Sequence, residues 1–163
     1  MPLHIKAKDV PKRKHNPIKG DGMKEVSRIY GRECNISPNW YHPGYHTRPH
    51  YHDCEQINYV IEGEIWVFVG DKGFHCKQGD YIRIPRGRIH WAWNNFDKTA
   101  LVIEAHSPPL IAGKPGSTAV GLFDDDEDPN PPVIAENLYD KEFDHVEPER
   151  RALAKEKEEA SAK

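Results

Sequence analysis

Between residues 26 and 108 the apolar side chains come in short runs separated by polar or turn-forming residues. Segments 26–30, 56–61, 64–69, 81–84 and 99–106 are rich in Val, Ile, Tyr, Phe and Trp, and each is bounded by Gly, Asn, Asp or Pro, the pattern of strands. No helical period interrupts them. Gly63, Gly70, Gly73, Gly79 and Gly87 recur every several residues, a rhythm that fits an antiparallel barrel or sandwich joined by tight turns. The segment shows no internal repeat, so the pattern predicts a single all-β unit.

The flanks differ. Residues 1–32 hold nine Lys or Arg against three acids, and residues 123–163 hold six against fourteen. The pattern divides the chain into a basic N-terminal arm (1–30), a strand-rich body (31–110) and a proline-rich acidic C-terminal arm (111–163), partly disordered or docked. FDDDEDPNPP opposes helix and strand alike. PERRALAKEKEEASAK has opposite charges at helical spacing but no apolar stripe, so it is expected to fray. The arms are expected to be solvated, or to lie against each other or a neighbouring subunit.

Hydrophobic residues make up 37% of the 163 and charged residues 30%, which suits one modest domain with polar extensions. The basic arm lacks interleaved aromatics and is matched by an acidic tail, so a nucleic-acid partner is not expected. No stretch is apolar enough to span a bilayer, and MPLHIKAKDVPKRKH lacks a secretory core, so no membrane association and a cytoplasmic location are expected. Cys34, Cys54 and Cys76 have no metal-ribbon spacing and read as free thiols.

Candidate chemistry lies in RPHYHDCEQ. On a strand His50, His52 and Gln56 share a face, and His90 begins a later strand after the turns at Gly79, Pro85 and Gly87. Three histidines and an oxygen ligand could surround one divalent transition metal, with Fe, Mn, Ni, Cu and Zn all suited to nitrogen-rich sites. The spacing resembles the cupins. Their first motif, Gly, five residues, His-x-His, three or four residues, Glu, six residues, Gly, is matched by Gly44, His50, His52, Gln56 and Gly63. Their second, Gly, five residues, Pro-x-Gly, two residues, His, three residues, Asn, is matched by Gly79, Pro85, Gly87, His90 and Asn94.

The resemblance covers about residues 31–108 and implies a single jelly-roll barrel with extended arms. It makes His50, His52 and His90 metal ligands and gives the fourth place to Gln56, where the family pattern has glutamate. Glu55 breaks both the parity and the spacing, and Cys54 has no precedent as a ligand. Four neutral donors leave the metal's charge uncompensated, which favours a chelating anion and Lewis-acid chemistry. Family precedents with glutamine are isomerases and lyases.

The remaining site readings rest on parity. His46 and Arg48 face the cavity if the strand runs unbroken past Pro49, and Arg48 could then clamp a carboxylate. Asn58 could orient a ligand. Trp66 and Phe68 share a face and form either a pocket wall or barrel core. Trp91 and Trp93 point away from His90, beneath an arm or a partner. His106 has the right type for a general base. The favoured function is a metal-dependent lyase or isomerase of a small carboxylate or enolisable carbonyl compound. The alternatives are a non-haem iron dioxygenase of a chelating aromatic or diketone-like substrate and a noncatalytic small-molecule-binding module. A symmetric homodimer is expected, with an arm crossing between subunits.

Overall fold

Ten strands pair antiparallel into two sheets among residues 4–110 and 135–162, the part of the chain that the computed structural model describes. The larger sheet runs β1 (Lys12–His15), β2 (Lys24–Ser27), β4 (Asn35–Tyr41), β10 (Ala100–Ser107), β5 (Glu55–Glu62) and β8 (Tyr81–Ile84), with β3 (Ile29–Tyr30) also on β4. The smaller sheet is β7 (Lys72–Lys77), β6 (Glu64–Val69) and β9 (His90–Trp93). The two close into the jelly-roll barrel that the motifs imply. Residues 111–134, which carry the acidic FDDDEDPNPP run, lie outside the described residues.

Alternation explains the interior. Ile65 and Val67 on β6, Ala92 on β9, Ala100 and Val102 on β10, Val60 on β5 and Tyr41 on β4 point inward and form one buried apolar cluster. The rest of the interior wall of the large sheet is polar: Asn35, Ser37, Asn39, Gln56, Asn58, Glu104 and His106 are all buried. Gly63, between β5 and β6, has a positive φ of 76°, and a Cβ there would lie 2.9 Å from the Thr99 carbonyl oxygen. Only glycine fits both demands.

The described parts of both arms lie on the barrel. β1 and β2 extend the large sheet from the basic N-terminal arm. PERRALAKEKEEASAK does not fray: it belongs to helix α1, Val146–Ser161, docked on the outer face of the small sheet. The expectation failed because the docking face is short and half polar. Ala152 and Leu153 pack with Phe143 on Trp66, Phe68, Trp91, Trp93 and Phe96. Glu149 and Glu156 flank them and find partners on the barrel, described below. Lys19 and Glu149 join the two arms at 2.8 Å. Among the described residues no helix is long and apolar enough to cross a membrane, and Cys34, Cys54 and Cys76 are free thiols.

Helix α1 approaches closely because residue 73 has no side chain. A Cβ on Gly73 would meet the Ala152 Cβ at 2.6 Å and a Phe68 ring carbon at 2.7 Å. Gly73→Ala should therefore push the helix off its seat and destabilise the fold by about 1–3 kcal/mol, as overpacking does. Thermal denaturation and faster proteolysis within α1 measure this; an unchanged melting curve and cleavage pattern would refute the seating.

Candidate metal centre

His50, His52 and His90 meet at one end of the barrel, with their available ligand atoms all within 4.8 Å of one another. His50 is brought there by a backbone bridge to His90, with the two residues exchanging N–H···O bonds of 3.1 and 2.8 Å. Each ring is fixed by a carbonyl two residues away. The Nδ1–H groups of His50, His52 and His90 donate to the oxygens of Arg48 (2.8 Å), Cys54 (3.1 Å) and Arg88 (2.9 Å). A neutral imidazole that donates through Nδ1 carries its lone pair on Nε2. The histidines thus present three Nε2 lone pairs to one space.

Burial keeps those lone pairs free. It pushes His50 down to about 4, lowers His52, and holds His90 well below the ordinary imidazole value. The His90 Nε2 is buried without a hydrogen-bond partner, an expensive arrangement unless something binds there. Gln56 completes the set. Its Oε1 lies 3.0 Å from His52 Nε2, and its amide nitrogen donates to Asn58 Oδ1 at 2.8 Å. Two donors at right angles, each about 2.1 Å from one ion, lie about 3.0 Å apart. The donor set therefore fits a divalent transition metal, with Asn58 turning the Gln56 carbonyl inward. Cys54 points elsewhere: its Sγ is 3.0 Å from His52 Nδ1 and its thiol is pushed up to about 12 by burial.

A cavity of about 290 Å³ opens from this cluster. Its lining includes Arg48, His106, Asn58 and Glu104, together with Lys24 and Arg28 from the N-terminal arm and Tyr139 from the C-terminal arm. Arg48 lies over the Tyr139 ring at 4.8 Å. Segment 135–139 is held against the barrel by paired Tyr51–Leu138 backbone bonds of 2.9 and 2.7 Å, so the C-terminal arm supplies part of the wall.

His46 does not face this cavity. The bridges His46 to Trp93 and His50 to His90 are offset by one residue, a bulge around Pro49 that reverses parity. His46 is fully buried on the opposite side, its Nε2 2.6 Å from Glu149 Oε1. Trp66 and Phe68 also face away: they stack with Trp91 under α1 and line neither the cavity nor the inner core. Both readings assumed that the shared face was the inner one, whereas Ile65 and Val67 hold that side. Trp91 and Trp93 do lie outside the barrel, beneath α1.

His106 does line the cavity, yet its bonding opposes the role of base. The Leu110 N–H donates to Asn35 Oδ1 at 2.6 Å, which turns the Asn35 amide nitrogen towards His106 Nδ1 at 3.1 Å. Nδ1 is then an acceptor, and a neutral His106 carries its proton on Nε2. Burial drives His106 down to about 3, so a donor is what it offers.

The sequence reading overlooked Lys24, Tyr41 and Glu104. Lys24 Nζ donates to Tyr41 Oη at 2.7 Å and to Glu104 Oε1 at 3.2 Å, and Tyr41 Oη also bonds Glu104 Oε1. Burial pushes Glu104 up, but Lys24, His106, Tyr41 and Arg28 outweigh it and hold the carboxyl at about 2. Burial lowers Lys24 against the pull of Glu104, and raises Tyr41 well above its ordinary value. The signal available was parity, because Glu104 shares the inward face of Val102 and His106.

Residues 40–106 match the family model described as the cupin domain. No curated protein matches the sequence. Solved structures share the fold. The polyketide cyclase RemF from Streptomyces resistomycificus is 21% identical, with 66% of this chain and 80% of that one covered and a TM-score of 0.55. A sugar phosphate isomerase of the cupin superfamily from Silicibacter pomeroyi is 18% identical over 64% and 74%, TM-score 0.55. KdgF from Halomonas sp. is 18% identical over 66% and 94%, TM-score 0.54. Both motifs, the barrel and the family match agree on a cupin domain over residues 40–106 of this chain.

Proposed function

We propose that the protein is a mononuclear metal enzyme that performs redox-neutral chemistry, as a lyase or isomerase, on a small anionic oxygenated substrate. The observation that carries this reading is the charge balance of the cavity. His50, His52 and His90 through Nε2 and Gln56 through Oε1 would hold the ion with no negative ligand. The lining adds Lys24, Arg28 and Arg48, against Glu104 as the only carboxylate among the described residues. Lys24 and Glu104 are paired, so a surplus of positive charge faces the ligand. A carboxylate or enolate supplies what is missing. A bound divalent ion polarises a carbonyl and makes the neighbouring C–H more acidic.

The protein's own residues position the substrate. Arg48, beside His50 in the chain and stacked on Tyr139, is placed to take a carboxylate through its guanidinium fork. Asn58 holds the Gln56 amide, and Asn35 fixes the His106 ring. The cavity volume suits a molecule of roughly a dozen heavy atoms or fewer. Trp66 and Phe68, which turn outward, take no part in the cavity wall. The isomerase and the cyclase among the fold neighbours are examples of chemistry that this barrel can house.

Metal should be found in protein purified without chelator. In hundredfold excess over its dissociation constant it should stabilise by about 2.7 kcal/mol, on the order of 5–10 °C in Tm for a chain of this size. Burial favours the neutral form of all three imidazoles, whereas an exposed histidine is mostly protonated at pH 6. The stabilisation should persist there and vanish as the pH falls towards 4 and protons displace the ion. Absence of bound metal and of any metal-dependent rise in Tm would remove the basis of the reading.

Gln56→Glu cancels part of the ion's charge and should weaken oxalate binding to the loaded protein about tenfold, or 1.4 kcal/mol, by calorimetry. Tighter binding in the variant would contradict the charge argument. Oxygen consumption with catechols, diketones or 2-oxo acids would instead assign the site to dioxygenase chemistry.

A further inference from the structure

Among the described residues two carboxylates are buried, on opposite sides of the small sheet, and their bonding differs. Glu149 is satisfied on both oxygens. Oε1 meets His46 Nε2 at 2.6 Å and the Trp91 indole N–H at 3.0 Å, and Oε2 meets Lys19 Nζ at 2.8 Å. Nothing is left over, as expected of a group whose task is to hold a helix in place.

Glu104 is satisfied on one oxygen. Lys24 Nζ and Tyr41 Oη both bond Oε1. Oε2 accepts no bond among the described residues, and it is not among the buried atoms left unpartnered by the protein. The residue lines the metal-side cavity, so Oε2 opens onto it. One oxygen anchored by two donors and the other turned to a cavity is the arrangement of a preorganised base.

Several of the other titratable groups that line the cavity are engaged. The Nδ1 atoms of His50 and His90 face backbone carbonyls. His106 Nδ1 faces the Asn35 amide. Tyr41 and Lys24 are already bonded to Glu104. His15 is shared with a smaller pocket formed with Pro11, Arg13 and Tyr30.

We propose that Glu104 is the catalytic residue that moves the substrate's proton, through Oε2, with Lys24 and Tyr41 as positioning residues on Oε1. This rests on the reading above that the substrate is an enolisable anion. In the step, the C–H bond next to the carbonyl breaks, the proton goes to Glu104 Oε2 and the electron pair moves into the enolate. In an isomerase of an α-hydroxy carbonyl compound the same proton then returns to the former carbonyl carbon, the α-hydroxyl proton passes to the former carbonyl oxygen, and Glu104 ends as the carboxylate it began as. No oxidant, reductant or second substrate is consumed.

The test uses the full chain loaded with Zn²⁺ or Mn²⁺ and pyruvate as the probe. Deuterium exchange into the methyl group is followed by proton NMR, and binding is measured separately by calorimetry. The wild type should accelerate exchange over the same metal in buffer. Glu104→Gln should slow it about a hundredfold or more, while pyruvate binding holds or tightens because one negative charge is gone. Glu104→Asp should recover part of the rate. Tyr41→Phe removes one donor from Oε1 and should slow exchange about tenfold with binding unchanged, which keeps the test open if Glu104→Gln does not fold. Exchange in the variants within about threefold of wild type, or binding to the wild type without exchange, overturns the role of Glu104 and leaves the metal reading intact. Absence of metal-dependent pyruvate binding removes both.

Discussion

Every polar group inside this barrel has to find a partner, because the inner wall of the large sheet is built from polar side chains. Asn35, Ser37 and Asn39 alternate along β4, Gln56 and Asn58 along β5, and Glu104 and His106 along β10, all of them buried. An unpaired buried amide or charge costs several kcal/mol, so each side chain is oriented by its neighbours. Leu110 orients Asn35, Asn35 orients His106, and Asn58 orients Gln56. The His90 Nε2 is among the buried atoms that the protein leaves without a partner, and it lies within the histidine cluster. The same rule that locks the wall leaves a place for an ion at its open end.

The stability of the fold comes from elsewhere. Two apolar clusters, one inside the barrel and one between the small sheet and α1, sandwich β6 and β9. These strands alternate Ile65 and Val67 inward with Trp66 and Phe68 outward, so the small sheet is covered on both faces. The functional wall is thereby relieved of most of the packing duty, and it can carry charge.

The barrel and the metal cluster were legible because they depend on local rules. Strand parity at His50 and His52 and the turns at Gly79, Pro85 and Gly87 depend only on nearby residues. Parity failed at His46, where one extra residue near Pro49 reversed the face and spacing gave no sign of it. β4 and β7 went unread because NISPNWY and KGFHCK are too polar to look like strands, and in β4 the polar residues face inward. Helix α1 was misjudged for a related reason. Glu149 and Glu156 look like solvent residues until the barrel supplies His46, Trp91 and Lys19 for one and His75 for the other. Lys24, Tyr41 and Glu104 come from three separate strands, and no local pattern reports that they meet.

The pairing of Tyr51 with Leu138 bears on the order in which the molecule is made. The strands of the barrel and all three cluster histidines are synthesised well before the segment that seals the edge beside them. A contact so distant along the chain forms late in folding. The C-terminal arm is thus the last piece of the vessel to be made, and it closes the side on which the histidine cluster would otherwise stand open.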